Sequence, residues 1–410
     1  MSSLSGRLSY LRTLPRDVQI IIYTQALRRF SFAILNVIFP IYLSKLGASS
    51  LLIGATMTGR SLFLALRSLI EGLAADRFGR KPILLFTAGL LTLGGLVYAF
   101  SGSLPLLVIS AILFSVGTIT FPPAEQAVLA ESAGGEDRTA IFSVNAFLAT
   151  LASVIGSFST GLLGALQSIG LGELAAYRVL FAIHAAACLI TFLAFLAVEE
   201  TIREAQARVE EEVEVSRDER LLLLKWSGVV AVDIIGGSFI YGLLSYWFYL
   251  RFSVGPEIIG ALFGASRVIS SFSYILGFKM ARRFGIIRAT VLSRLPVVAV
   301  NILTPLMPNF TVVAALRLLM ALFSQIDVPL RQSYIMGIMG RRKASAAGVV
   351  TVVSRFTSAG APTVTGYVLQ YVSMSLPFFI AASFQFASAA LMYLLFKDIK
   401  PPEERGEVNS

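Results

Sequence analysis

Twelve stretches of roughly 20 mostly apolar residues run through this chain, and no other feature restricts its fold so far. About 20 such residues, each rising 1.5 Å along an α-helix, cross the roughly 30 Å of hydrocarbon in a bilayer. The stretches lie at 18–43, 51–74, 82–101, 105–130, 141–166, 175–198, 222–250, 257–280, 289–307, 310–338, 345–371 and 375–396. Strands of a membrane barrel would alternate in segments of about 10 residues, a pattern absent here. The expectation is an all-α membrane protein with twelve transmembrane helices, numbered as spans 1 to 12 in chain order. The first stretch is too long for the core of a removable signal, and no small-residue cleavage site follows a short core.

Composition closes off other classes. Of 410 residues, 56% belong to the AVILMFWYC set and 14% are charged. A soluble domain carries about 25% charged residues, so a soluble enzyme and a disordered chain are both excluded. Cys188 is the single cysteine and His184 the single histidine, so neither a disulfide framework nor a metal site built from His and Cys clusters is expected. No Walker loop or nucleophile elbow is present; no cofactor, no enzymatic activity and no transport powered by ATP hydrolysis in this chain are expected. The formal charge of +10 points, in so apolar a chain, to membrane orientation and not to nucleic acid.

Orientation follows from where the basic residues fall. With a cytoplasmic N-terminus, only Lys45, Arg178 and Arg251 lie outside and nine arginines lie within spans, leaving 22 of the 34 Lys and Arg in cytoplasmic segments. That asymmetry places both termini in the cytoplasm of a multi-pass cell-membrane protein, with the lipid bilayer as its surroundings. The longest loop, 199–221, carries nine of the 24 acidic residues and reads as a solvated cytoplasmic linker. It divides an N-terminal six-helix bundle, 1–198, from a C-terminal bundle, 222–410, that ends in a short cytoplasmic tail.

The two halves repeat. Residues 53–55, IGA, recur as Ile259-Gly260-Ala261, a shift of 206. At that shift Pro123 and Gln126 recur as Pro329 and Gln332, and DRFGRKP at 76–82 meets RRFGIIR at 282–288. Gly72 and Gly161 recur as Gly277 and Gly366 at a shift of 205. Paired six-helix halves are a transporter architecture, with a substrate site near the midplane.

The loop after span 2 reads Gly72-Leu-Ala-Ala-Asp76-Arg77-Phe-Gly79-Arg80-Lys81-Pro82. It closely resembles the signature loop of the major facilitator superfamily, G-x-L-x-D-R-x-G-R-K, at the expected place between spans 2 and 3. With twelve spans and the repeat, the resemblance covers nearly the whole chain and implies that superfamily's fold, without identifying a subfamily. It also implies a latch: Asp76 would meet the start of span 11, about 344–348, when the cytoplasmic side is shut, with Arg77, Arg80 and Lys81 adding to it. Gly72 permits close helix approach and Gly79 a tight turn. The second copy departs from the pattern, with Arg282 in the place of the Asp. Span 5 has Gly156, Gly161 and Gly164 but lacks the proline of the drug/proton antiporter signature, which weakens that reading.

Charges within spans are the most informative chemistry, because each costs several kcal/mol unless it faces a cavity or a partner. They are Arg28, Arg29, Arg60, Arg67, Arg267, Arg294, Arg317, Arg331 and Arg355 against Glu71, Glu125, Asp233 and Asp327. Arg67 and Glu71, four apart, are expected to pair on one helix face, and Arg294 to snorkel to the cytoplasmic surface. Asp327 and Arg331, also four apart, are either a fixed pair or one that a substrate or proton exchanges. Arginine binds oxyanions with a planar fork and stays charged, so an excess of it favours an anionic substrate. The expected substrate contacts are Arg28, Arg29, Asn36, Arg60, Tyr241, Arg267, Gln332 and Arg355. Glu125, Asp233, Asp327 and Arg331 are the expected coupling or gating groups. His184 is expected to be a packing residue, and the run Tyr246-Trp247-Phe248-Tyr249 an interfacial aromatic belt.

These features predict a monomeric secondary transporter that moves a small organic anion or acidic amphipath by alternating access, with protons as coupling ions. The alternative is a multidrug/proton antiporter whose acids bind cationic or neutral apolar compounds. Rivals of another class are a non-transporting membrane receptor, against which the short loops and tails argue, and a lipid flippase.

Overall fold

The computed structural model of the chain describes residues 14–114, 135–198, 217–338 and 358–399. The spans form the helices expected of them. Span 1 is Arg16–Lys45, span 2 Ser50–Phe78, span 3 Arg80–Phe100 and span 6 Glu173–Leu196. Span 9 is Ile286–Leu303 and span 12 Leu376–Phe396. Spans 4 and 11 are described over Leu104–Leu113 and Ala361–Tyr371. The others are interrupted. Span 5 runs Gly135–Phe158 and, after a 3₁₀ turn, Leu162–Ser168. Span 7 runs Arg217–Tyr241 and Leu244–Phe252, span 8 Pro256–Ser271 and Ser273–Phe284, and span 10 Phe310–Ala321 and Asp327–Ile338. Breaks within a bilayer are tolerated where the freed backbone groups are buried in protein or face a cavity, so three of them in the second half mark it for attention.

Packing gathers the chain into two compact units. One comprises Met1–Ala48, Gly59–Val209 and Gly255–Gly264; the other Ser49–Thr58, Glu210–Val254 and Ala265–Ser410. In the first, span 1 packs on spans 5 and 6, and span 3 on span 6. In the second, span 7 packs on spans 11 and 12, and span 9 on span 12, so the same pairings recur six spans later. Small residues let the backbones approach: Gly95 faces Ala185, Gly156 faces Phe30, and Gly236 faces Ala381. Large apolar side chains such as Phe86, Leu93 and Phe100 on span 3 stay exposed on the protein, a face suited to lipid.

The repeat is visible in backbone conformation. Gly79 (φ 89°, ψ 171°) and Gly285 (φ 79°, ψ 163°), 206 apart, make the turns from span 2 to 3 and from span 8 to 9. That region of φ/ψ space is open almost only to glycine. Gly47 and Ser253, also 206 apart, both have positive φ. The first turns of span 2 pack on span 11 within the second unit: Gly54 abuts Pro362 and Gly366, and Leu51 N–H donates to Gln370 Oε1 at 3.0 Å. The first turns of span 8 pack on span 5 within the first unit, where Gly260 abuts Ser157 and Thr160. Gly54 and Gly260, and Gly366 and Thr160, are again 206 apart.

One expectation fails near these contacts. Tyr246, Trp247 and Phe248 are buried and do not form a lipid-facing belt. Trp247 Nε1–H donates to the Met374 carbonyl at 2.8 Å, its ring lies 4.5 Å from Phe378, and Tyr246 Oη lies 3.0 Å from Ser50 Oγ. The bend in span 7 before Leu244 turns this run inward, and apolar periodicity alone does not register a bend.

Candidate functional site

The second unit holds a four-membered charge cluster. Asp327 opens the lower segment of span 10, where a carboxylate is favoured by the helix N-terminus, and Pro329 tolerates its missing N–H in the same turn. One turn on, Arg331 Nη2 lies 2.5 Å from Asp327 Oδ2, while its Nη1 donates to Asp233 Oδ2 of span 7 at 3.0 Å. Arg294 of span 9 completes the set: its Nη2 lies 2.5 Å from both Asp233 Oδ2 and Asp327 Oδ2. Two carboxylates thus share two guanidinium groups across three spans, and the set is neutral. Asp233 Oδ1 is buried with no hydrogen-bond partner among the described residues.

This corrects the reading of Arg294. It sits eight residues beyond the helix start at Ile286, about 12 Å along the axis, and spends its charge on two carboxylates instead of reaching for the surface. The intrahelical Asp327–Arg331 pair exists, but as one edge of a larger network. Tyr241, 49% exposed at the break of span 7, is within electrostatic reach of Asp233, Asp327, Arg294 and Arg317.

Arg317 completes this neighbourhood and went unassigned in the sequence. It lies in the upper segment of span 10, is 4% exposed, and holds its guanidinium over the Phe378 ring, 5.5 Å from the centroid. Its Nη1 points at Met320 Sδ, 3.8 Å away. Nε and Nη2 are buried with no hydrogen-bond partner among the described residues. Arg267 is half-buried on span 8, just before the break at Phe272, and no carboxylate among the described residues pairs with it.

In the first unit the predicted pair is present: Arg67 Nε lies 3.1 Å from Glu71 Oε1, which also accepts from Thr87 Oγ1 at 2.6 Å. Arg67 Nη1 donates to the Phe114 carbonyl at 3.3 Å. Arg28 is buried with its guanidinium over the Phe195 ring, and Arg29, Asn36 and Arg60 are half-buried and engaged. His184 is buried, 3.0 Å from Ser31 Oγ through Nδ1 and 3.5 Å from Cys188 Sγ through Nε2. Around the signature loop, Arg77 stacks on Phe78, Arg80 is half-buried, and Lys81 Nζ donates to the Leu196 carbonyl at the C-terminus of span 6, at 2.9 Å. Glu125, Arg355 and residues 344–348, and the side chains of Asp76 and Gln332, lie outside the described residues, and Gly72 is described only as part of the span 2 helix.

Arg67, Arg294 and Arg331 are thus seen paired with acids among the described residues. The second unit counts four intramembrane arginines among its described residues, Arg267, Arg294, Arg317 and Arg331, against two carboxylates, Asp233 and Asp327.

Comparison with known proteins gives a consistent result. The family model described as Major Facilitator Superfamily matches residues 21–311 and again 251–409. An uncharacterized membrane protein of Saccharomyces cerevisiae is 25% identical over 424 residues, covering 93% of this chain and 94% of that protein. Among solved structures, the chain is similar to a bacterial homolog of the human lysosomal transporter Spinster in an inward-facing and occupied conformation. That match has a TM-score of 0.74 at 14% identity, over 93% of this chain and 96% of the other. A D-xylose-proton symporter matches with TM-score 0.71 at 14% identity, over 94% and 98% of the respective chains.

Proposed function

The chain belongs to the major facilitator superfamily, and from that premise we propose that it moves a small organic anion by alternating access, coupled to protons through Asp233 and Asp327. Membership makes it a multi-pass membrane transporter with the twelve-helix fold, and not an enzyme. The observation that carries the anion reading is the charge imbalance of the second unit, where, among the described residues, four arginines within the spans meet two carboxylates. A surplus of fixed positive charge in a low-dielectric interior attracts a negatively charged solute and repels a cation.

The same cluster argues against the cation exporter. Asp233 and Asp327 each face two guanidinium groups, so neither is left to bind an organic cation. A proton is a different matter. Protonating Asp233 weakens its hold on Arg294 and Arg331 together, which couples one proton to the packing of spans 7, 9 and 10. Its Oδ1, which has no hydrogen-bond partner among the described residues, is where that proton would sit. On this reading the anion and the proton act on one connected set of side chains, with Asp76 and the signature loop holding one end state.

The test is transport in proteoliposomes. Organic anions should be taken up by the parent protein and accelerated by an imposed pH gradient, and Asp233→Asn should uncouple uptake from that gradient. Uptake confined to cationic or neutral compounds would overturn the reading.

A further inference from the structure

The cluster absorbs Arg294 and Arg331 and leaves Arg317 unexplained. A guanidinium has two kinds of edge, and the one formed by Nε and Nη2 is the side-on fork that grips both oxygens of a carboxylate. In Arg317 that edge alone is empty among the described residues. The rest of the group is held: Nη1 by Met320 Sδ and the flat face by Phe378. An empty fork on an otherwise fixed and buried guanidinium is an expensive arrangement, because a buried charge without a partner is strongly unfavourable.

We propose, resting on the anion reading above, that the Nε/Nη2 edge of Arg317 is the receptor for the oxyanion of the substrate, a carboxylate or sulfonate carried on an apolar body. The apolar part follows from the surroundings. Phe378 lies under the guanidinium, Trp247 packs on Phe378, and a small cavity beside them is lined by Phe239, Leu243, Leu369 and Phe378. Both nitrogens are closed off in this conformation, so the anion reaches them only after a covering group turns aside. Tyr241 ends a helical segment, is half exposed, and lies within electrostatic reach of both Arg317 and the four-charge cluster.

The experiment uses the full-length protein in detergent, with thermal unfolding read against benzoate, phenylacetate and benzenesulfonate. Benzamide, benzylammonium and sodium chloride at matched ionic strength are the controls. The parent should be stabilised by the oxyanion probes and not by the controls. Arg317→Gln and Arg317→Lys should each lose at least tenfold in apparent affinity, the Lys variant because a point charge lacks the fork. Without ligand, Arg317→Leu should melt no lower than the parent, since it removes an unmatched charge; a purely structural arginine would give the opposite sign. Folded Gln and Lys variants that bind the probes as the parent does would overturn the assignment to Arg317 and leave the anion reading standing. A parent that none of the oxyanions stabilises would overturn both.

Discussion

Replacing Asp233 by asparagine removes one of the two negative charges that Arg294 and Arg331 share, at nearly constant volume. Asp233 is 7% exposed in its side chain and Asp327 1%, so solvent screens little of the loss. Breaking a buried pair costs about 3–5 kcal/mol. Here the lower end applies, about 3 kcal/mol, because Asp327 Oδ2 still faces both arginines at 2.5 Å. Removing Arg331 as well restores neutrality: Arg294 and Asp327 remain as a pair. The double variant Asp233→Asn/Arg331→Gln should recover about 2 kcal/mol of the summed single losses, within the range for residues in direct contact. The assay is thermal unfolding of the four proteins in one detergent, with the double variant expected to lose clearly less than the two single losses added together. Asp233→Asn should also be milder than Asp327→Asn, whose carboxylate is more buried and sits at a helix N-terminus. Proton-driven uptake should stay lost in the double variant wherever it folds, which separates coupling from folding. A double variant as unstable as the two single losses added together would refute the network.

Asp76→Asn should slow turnover more than it weakens substrate binding, measured as separate effects on maximal rate and half-saturation; equal losses would contradict the latch. Gly79→Ala and Gly285→Ala should each cost about 1–3 kcal/mol in thermal unfolding, since both place a Cβ at a positive φ with extended ψ. Cys188 is buried beside His184, so maleimide should label the protein only after denaturation; rapid labelling of the folded protein would show that spans 1 and 6 pack otherwise. Arg331→Ala should abolish transport while the protein still inserts in the membrane, and full uptake by that variant would remove Arg331 from the mechanism.

Much of the fold could be read from the chain, because a bilayer imposes a length on every helix and because the repeat leaves marks at a fixed offset. The glycines at 79 and 285 show how such a mark works. Each stands where only glycine is comfortable, so the offset in sequence is also an offset in conformation. The site was legible only where partners share a helix. Arg67–Glu71 and Asp327–Arg331 lie four residues apart, and that spacing predicts contact. Arg294 meets Asp233 over a separation of 61 residues, and nothing in the spacing of spans 7 and 9 reveals which residues face each other. Arg317 was hidden for a different reason: its significance lies in the absence, among the described residues, of hydrogen-bonding neighbours at one edge, which no residue pattern encodes. The aromatic run at 246–249 carries the composition of an interfacial belt, and only the bend in span 7 tells that it packs inward.

Anion transport coupled to protons is tested most directly by a panel of organic anions, cations and neutral apolar compounds presented to proteoliposomes that contain a trapped pH indicator. Anions alone should evoke a proton flux in the parent protein, and Asp233→Asn/Arg331→Gln, although folded, should evoke none. A proton flux evoked by cations or neutral compounds, or one that persists unchanged in the double variant, would contradict this mechanism.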